Sequence, residues 1–534
     1  MHLGAPEASL METRNFTAAR EMAAGGSWLL PTMNGELRLA KPPLPTWAVA
    51  AVMRVTGTTD NLGVLRLPAA LMATLLVFFF WQLAQELTTE LPGDAEAPGR
   101  TAWLAALILA SSLLLLTVGR DGQWDIFSNS FLVGALWVLV RGWRQRAPGY
   151  GWFALGGLFL GLSILSKGPV ALYSLLLPFL GCLLSPLSRW RATVRTQWRG
   201  GLVAMGVALL VGAAWPLYVL YHVAPEALRV AQLEVAAWSD RHVKSLWYYG
   251  QLPVFTGVWV MVALAAVLVP YSQPRLQRYV PVAFTLGWLV TTLVLLSVVP
   301  EKKTRYMLPL LLPLVLLMGG LLRYWEVLFR TQVVPRADRL VLRSWASVLA
   351  VVCVLVPAAM TFFPLPGFDG HSVRFWVAVP AFGLLGALAL FYGFRRPHPG
   401  RLSGISIMLL ALVVTLLLPA YPVWEGRDKA GLRRLAQVRH HPGLPQLPWY
   451  SLQEVPIKQV WQAGRSIPQL QPEWRAVPHH PIVVFSLSPV APQLPLFWQR
   501  QVHVQLVDSF YTGRTREAGR WLVSIVEPNA TPTH

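Results

Sequence analysis

The sequence predicts an all-α polytopic membrane protein of about twelve spans, ending in a small outer α/β domain. Of its 534 residues 54% are hydrophobic and only 13% charged, roughly half the charged share of an ordinary soluble domain. Apolar runs long enough for a helix to cross about 30 Å of hydrocarbon recur through the middle of the chain. The basic residues between them are unequally divided: eighteen arginines fall in one alternating set of loops and eight Lys or Arg in the other. Basic loops are retained in the cytoplasm, so the first set is cytoplasmic, and residues 1–62 and 421–534 lie outside. This division absorbs most of the formal charge of +20 and removes the reason to invoke nucleic acid.

The elements follow in order. Residues 7–25 read as a charged helix stopped by Gly25-Gly26, then a loop through Asn34-Gly35 leads to KPPLPTW from Lys41. Residues 46–56 are apolar but too short to span, so an interfacial helix headed by Trp47 is expected. Spans are expected near 67–86, 101–118, 126–140, 152–166, 170–187, 201–222, 249–270, 279–299, 306–322, 344–364, 374–394 and 402–420. The predicted organisation is a first outer loop over 1–62, a transmembrane domain over 63–421 and an outer domain over 422–534. In the last, Pro-rich stretches separate β-rich runs such as PIVVFSLS and VHVQLVD. Cys182 and Cys353 lie inside apolar runs, which excludes a disulfide scaffold and a thiolate metal cluster. A Gly-rich nucleotide-phosphate loop is missing, which argues against an ATP-driven pump.

Acids at a membrane rim are costly and tend to serve function. The outer-face candidates are Glu7, Glu12, Glu21, Asp121, Asp125, Glu234, Asp240 and Glu301. Asp125 opens the run IFSNSFLVGALWVLV; a plain helix N-cap is its structural alternative. For Glu7 and Glu12 the alternative is a solvated helix face. Outer basic residues gather at Lys41, before Pro42-Pro43, and in EKKTRY, which holds Lys302, Lys303 and Arg305. So short and cationic a loop between two spans suits the phosphate of a lipid-linked substrate, with Arg305 supplying a planar fork and the lysines point charge. Lys167, in the turn Lys167-Gly168-Pro169, also defies the orientation rule, and snorkelling to the headgroups is the simpler expectation for it. The 24 Trp fit interfacial belts better than sugar platforms. The pairs His440-His441 and His479-His480 lack metal-ligand spacing.

The stretch EASLMETRNFTAAREMAAGGSWLLPTMNGELRLAKPPLPTW resembles the first outer loop of bacterial membrane glycosyltransferases related to aminoarabinose lipid A transferase and dolichyl-phosphate-mannose protein mannosyltransferases. AREM, NG and KPPL match in order and spacing, and RDGQWDIFSNSF, SKGPVALY and KKTRYMLPLLLPL stand where later family signatures fall. The resemblance implies a GT-C fold and transfer of a sugar from a polyprenyl-phosphate donor to a lipid, glycan or protein acceptor at the outer face of the plasma membrane. It places Lys41, Arg305 and Tyr306 at the donor phosphate and makes Asp125 a required acid. Two departures stand out: the family's Asp-Glu pair is Pro6-Glu7 here, and the Glu before KPP is Ala40. The family also has a span ahead of this loop, so Met1 is expected to be internal to a longer reading frame whose thirteenth span exports residues 1–62.

The mechanism these readings imply is a single inverting displacement. Glu7 first, Asp125 second and Glu12 third are the candidates to take the acceptor hydroxyl's proton, while the cations stabilise the leaving phosphate. No cofactor is indicated, although a divalent metal is compatible. A secondary transporter would place its charges at mid-membrane on broken helices. A non-catalytic assembly or binding protein of the same fold would explain the outer domain and the missing acids.

Overall fold

The computed structural model describes residues 2–145, 149–186, 188–226, 228, 243–330, 333–362, 373–418, 434–470, 477–512 and 519–529. Of the acids considered above, Glu234 and Asp240 lie outside the described residues. In chain order come α1 (Leu10–Ala23), β1 (Thr32–Met33), β2 (Glu36–Leu37) and α2 (Leu44–Thr56). Then follow α3 (Leu67–Thr88), α4 (Arg100–Ala110), α5 (Trp124–Arg144), α6 (Tyr150–Lys167), α7 (Leu172–Leu184), α8 (Trp198–His222), α9 (Leu246–Val267), α10 (Val282–Val298), α11 (Thr304–Leu328), α12 (Arg336–Phe362), α13 (Val373–Arg395) and α14 (Pro399–Leu417). The carboxyl-terminal part contributes β3 (Trp449–Ser451), α15 (Ile457–Ala463), β4 (Ile482–Ser486), β5 (Val502–Tyr511) and β6 (Arg520–Pro528).

Among the described residues nine helices are long and apolar enough to cross a membrane, and α4, α7 and α10 are shorter apolar helices. Each of the twelve apolar runs read from the sequence coincides with one of these helices. The chain is thus a multi-pass membrane protein with a small sheet domain. It divides into two compact units, one of Met1–Leu3, Leu39–Pro45 and Arg66–Ala420, the other of Gly4–Arg38, Thr46–Leu65 and Tyr421–His534.

In the membrane unit α5 and α6 form an antiparallel hairpin, with α3 packed on α5 and α8 on α6. Close approach is made possible by missing side chains: a Cβ on Gly157 would stand 2.3 Å from the Ala204 carbonyl oxygen, and one on Gly161 2.6 Å from Val211. Small residues replace the hydrophobic effect as the source of association in lipid, because they let backbones meet. α11 is the core helix, with every residue from Leu308 to Arg323 buried. Near its carboxyl end the buried Asp338 accepts hydrogen bonds from Tyr271 Oη (2.6 Å), Arg275 Nε (3.0 Å) and Trp325 Nε1 (3.0 Å).

The second unit joins both ends of the sequence. α1 begins in a capping box: Ser9 N–H donates to Glu12 Oε2 (2.9 Å) and Glu12 N–H to Ser9 Oγ (3.3 Å). β1 and β2 turn through Asn34 (φ 60°) and Gly35 (φ 84°), both left-handed as a tight hairpin requires. The four-stranded sheet has the order β3-β4-β6-β5, parallel between β3 and β4 and antiparallel elsewhere. Arg20 of α1 donates to the carbonyls of Val460 (2.9 Å) and Trp461 (3.2 Å) on α15 and lies 5.3 Å from the Trp461 ring centroid. Burial pulls its guanidinium down to about 10, still charged at neutral pH. Glu21 accepts from Thr32 Oγ1 (2.6 Å), Asn34 N–H (2.7 Å) and Ser466 Oγ (2.8 Å), and Asn34 exchanges two hydrogen bonds with the backbone of Ile467. The AREM and NG motifs therefore fasten the first loop to the carboxyl-terminal fold.

Candidate functional site

The site in the membrane unit follows from the α5–α6 hairpin. Because the two helices are antiparallel, the start of α5 meets the end of α6, bringing Asp125 to Lys167 across 42 residues of sequence. The N-cap of α5 is Gln123 and Asp125 sits inside the first turn, so the capping role that stood as its structural alternative does not apply. α6 stops at Lys167 because Gly168 takes φ 76° and Pro169 cannot continue the helix.

Lys167 does not snorkel. It is buried, and its Nζ pairs with Asp125 Oδ1. The other carboxylate oxygen, Oδ2, lies 3.0 Å from Arg305 Nε. Arg305 and Tyr306 come from the single tight turn that opens α11, and three cations surround the Tyr306 ring: Lys167 Nζ at 4.6 Å from the centroid, Arg305 at 5.5 Å and Lys303 Nζ at 5.9 Å. Lys41, which belongs to the same unit, lies within electrostatic reach of Asp125. Lys303 pairs with the buried Glu301.

Lys302 is used differently from its neighbour. It is buried, and its ammonium donates to the carbonyls of Val299 (2.8 Å) and Lys244 (3.3 Å). Together with the Val243–Glu301 bridge and a Tyr248–Thr304 hydroxyl contact of 3.2 Å, it clasps residues 243–249 onto EKKTRY. Lys302 is therefore a strut, while Lys303 stays beside Tyr306.

The structure thus brings together Lys41, Asp125, Lys303, Arg305 and Tyr306, with Lys302 behind them. It adds Lys167, which the sequence announced by its position against the orientation rule and within SKGPVALY. Glu7 and Glu12 belong to the second unit, where Glu7 pairs with Arg434 and Glu12 closes the capping box of α1. Glu12 is 1% exposed and holds a helix terminus, a structural duty that accounts for its carboxylate. Around Asp125 and Tyr306 four basic side chains, Lys41, Lys167, Lys303 and Arg305, face three carboxylates, Asp121, Asp125 and Glu301. The cluster keeps a surplus of one positive charge.

The fold is that of a multi-pass membrane protein similar to the GT-C glycosyltransferases. Within that class the chain resembles the aminoarabinose transferases and protein mannosyltransferases. Residues 40–216, which hold Lys41, Asp125 and Lys167, match the family described as dolichyl-phosphate-mannose-protein mannosyltransferase. The chain is 31% identical over 322 residues to undecaprenyl phosphate-alpha-4-amino-4-deoxy-L-arabinose arabinosyl transferase 1 of Pseudomonas fluorescens, covering 58% of this chain and 55% of that one. It is 29% identical over 432 residues to the like-named transferase of Pseudomonas paraeruginosa, covering 77% and 71%. It therefore spans about half the length of the first of these relatives. The crystal structure of ArnT from Cupriavidus metallidurans in the apo state superposes with a TM-score of 0.67 at 18% identity, covering 96% of this chain and 92% of that one. The same protein bound to undecaprenyl phosphate gives 0.65 at 17% identity, covering 96% and 93%.

Proposed function

We propose that the protein transfers a sugar from a polyprenyl phosphate to an acceptor, with inversion, at the extracytoplasmic face of the plasma membrane. The observation that carries this reading is the charge balance around Asp125. A polyprenyl-phosphate sugar is a phosphodiester with one negative charge, and the polyprenyl phosphate that leaves carries two. A site with a surplus positive charge interacts more strongly with the second than with the first. The interaction grows as the anomeric C–O bond breaks, and only such growth lowers the barrier.

Lys41, Lys303 and Arg305 bind the phosphate oxygens, with Arg305 presenting its fork. Tyr306 fixes the cations about its face. Asp125, held by Lys167 and Arg305 at once, keeps those two side chains aligned and is a positioning residue. Glu7 is the proposed base: it takes the proton of the acceptor hydroxyl as that oxygen attacks the anomeric carbon. Undecaprenyl-phosphate aminoarabinose is the first donor to try, because the relatives are named as its transferases, and an anionic glycolipid is the first acceptor.

Transfer by the purified protein in liposomes, with a synthetic polyprenyl-phosphate sugar, tests the reading. The Lys41→Ala, Arg305→Ala double variant is expected to lose at least 100-fold in kcat/KM. Full activity in that variant would remove the phosphate site, and failure of every polyprenyl donor with the wild type would remove the function.

A further inference from the structure

One turn inside the membrane from Asp125 and Lys167, the α5–α6 hairpin carries a second polar contact. Ser128 follows Asp125 by three residues and Ser163 precedes Lys167 by four, so each serine shares a helix face with its charged neighbour. The two hydroxyls lie 3.0 Å apart, Ser163 Oγ donates to the Ser128 carbonyl (2.8 Å) and Ser128 Oγ is 3.2 Å from the Ser163 carbonyl. Both side chains are fully buried, at 1% and 0% exposure. The contact is reciprocal and includes both backbones, so it fixes rotation and translation of one helix against the other. The small-residue packing below it, at Gly142 and Gly156, supplies proximity and no directional bond.

We infer that the Ser128–Ser163 clasp is a positioning device that sets the register of α5 and α6, so that Asp125 receives Lys167 and holds it in line with Arg305 at the donor phosphate. A slide of one helix by a single residue, about 1.5 Å along its axis and 100° about it, would separate Asp125 from Lys167. Lys167 would then be a buried ammonium without its counter-charge, and Arg305 would lose part of its anchor. Hydrogen bonds between membrane helices contribute modestly, so loss of the clasp loosens alignment without unfolding the bundle. Ser130, two residues from Ser128, provides the contrast. It donates to the Met72 carbonyl of α3 (2.8 Å) and to Ile126 in its own helix (2.6 Å), and it leaves the α5–α6 register alone.

This inference rests on the proposed donor-phosphate role of the cluster, and its test has one arm that does not. In full-length protein in liposomes, Ser128→Ala/Ser163→Ala is expected to raise the KM for the polyprenyl-phosphate donor five- to tenfold with kcat within twofold, whereas Ser130→Ala stays within twofold in both. Ser128→Thr, which keeps the hydroxyl, is expected to restore donor KM toward wild type. A purely structural role would lower the active fraction equally in the two alanine variants and leave KM unmoved, and that result overturns the proposal. The independent arm reads register directly: cysteines at Phe131 and Phe159, whose rings are 6.3 Å apart, are oxidised to a disulfide in protein with and without the serine pair. An unchanged cross-linking rate overturns the clasp whether or not the wild type transfers sugar; a rate lowered severalfold supports it, even should the donor assay fail.

Discussion

Asp125 is where the electrostatics of the site turn on one side chain. It is 4% exposed and meets Lys167 on one oxygen and Arg305 on the other. Removing one partner of a buried pair typically costs about 3–5 kcal/mol, while exchanging both members for apolar residues is often neutral. Asp125→Ala should therefore lower the thermal unfolding midpoint in detergent markedly. Asp125→Leu/Lys167→Met should recover much of that loss while remaining inactive, because a well-packed apolar pair cannot align Arg305. A double variant no more stable than Asp125→Ala would show that the pair is not a closed unit. The two adjacent lysines of EKKTRY make a sharper contrast. Lys303→Ala removes a charge beside Tyr306 and should raise donor KM about tenfold or more, since a hydrogen bond to a charged group contributes about 1.5–3 kcal/mol. Lys302→Ala instead frees the carbonyls of Val299 and Lys244 and should show itself first as faster proteolysis of residues 243–249. Equal donor KM shifts in the two variants would contradict the division of labour.

At the scale of helices and strands, the first loop and the carboxyl-terminal fold are tied through α1. Arg20 meets two carbonyls and an indole of α15, and Glu21 meets Thr32, Asn34 and Ser466. Arg20→Ala deletes charge-assisted bonds and leaves two acceptors unsatisfied, a loss of about 3 kcal/mol. Limited proteolysis should cut near Gly25-Gly26 several times faster in that variant, and an unchanged digestion rate would refute the fastening role. The same elements show what the sequence discloses and what it withholds. All twelve apolar helices were legible because a bilayer imposes a length, and a run such as 201–222 has no other use. The AREM and NG motifs were legible as a pattern, but their purpose was not, since their partners at Val460, Ser466 and Ile467 lie more than 430 residues away. Lys167 was discounted for a related reason. Judged alone a lysine at a turn snorkels, and only the antiparallel pairing of α5 with α6 reveals the acid it meets. Lys302 and Lys303 were indistinguishable in sequence, because backbone geometry decides which ammonium turns back onto carbonyls. The order β3-β4-β6-β5 was beyond reach for want of any local signal for long-range pairing.

For the whole molecule, the unequal basic loops make a prediction about orientation that does not depend on the chemistry. Arg199 stands at the start of α8, among the basic residues expected in the cytoplasm, and Ser245 immediately precedes α9, at the end of the bundle that carries EKKTRY through the Val243–Glu301 bridge. Glu36 lies exposed in β2, in the segment expected outside. In a background with Cys182→Ser and Cys353→Ser, single cysteines at these three positions report their compartment by reaction with a membrane-impermeant maleimide. Glu36→Cys and Ser245→Cys should label in cells whose inner membrane is intact, and Arg199→Cys only after that membrane is permeabilised. Basic loops resist translocation; with those labels the cations of the site would run against that rule, and a phosphate at the lipid headgroup level is the reason proposed for them. Labelling of Arg199→Cys in intact cells, with Ser245→Cys protected, would invert the topology. The donor would then have to be met at the cytoplasmic leaflet, and the cation surplus around Tyr306 would become an ordinary retained basic loop.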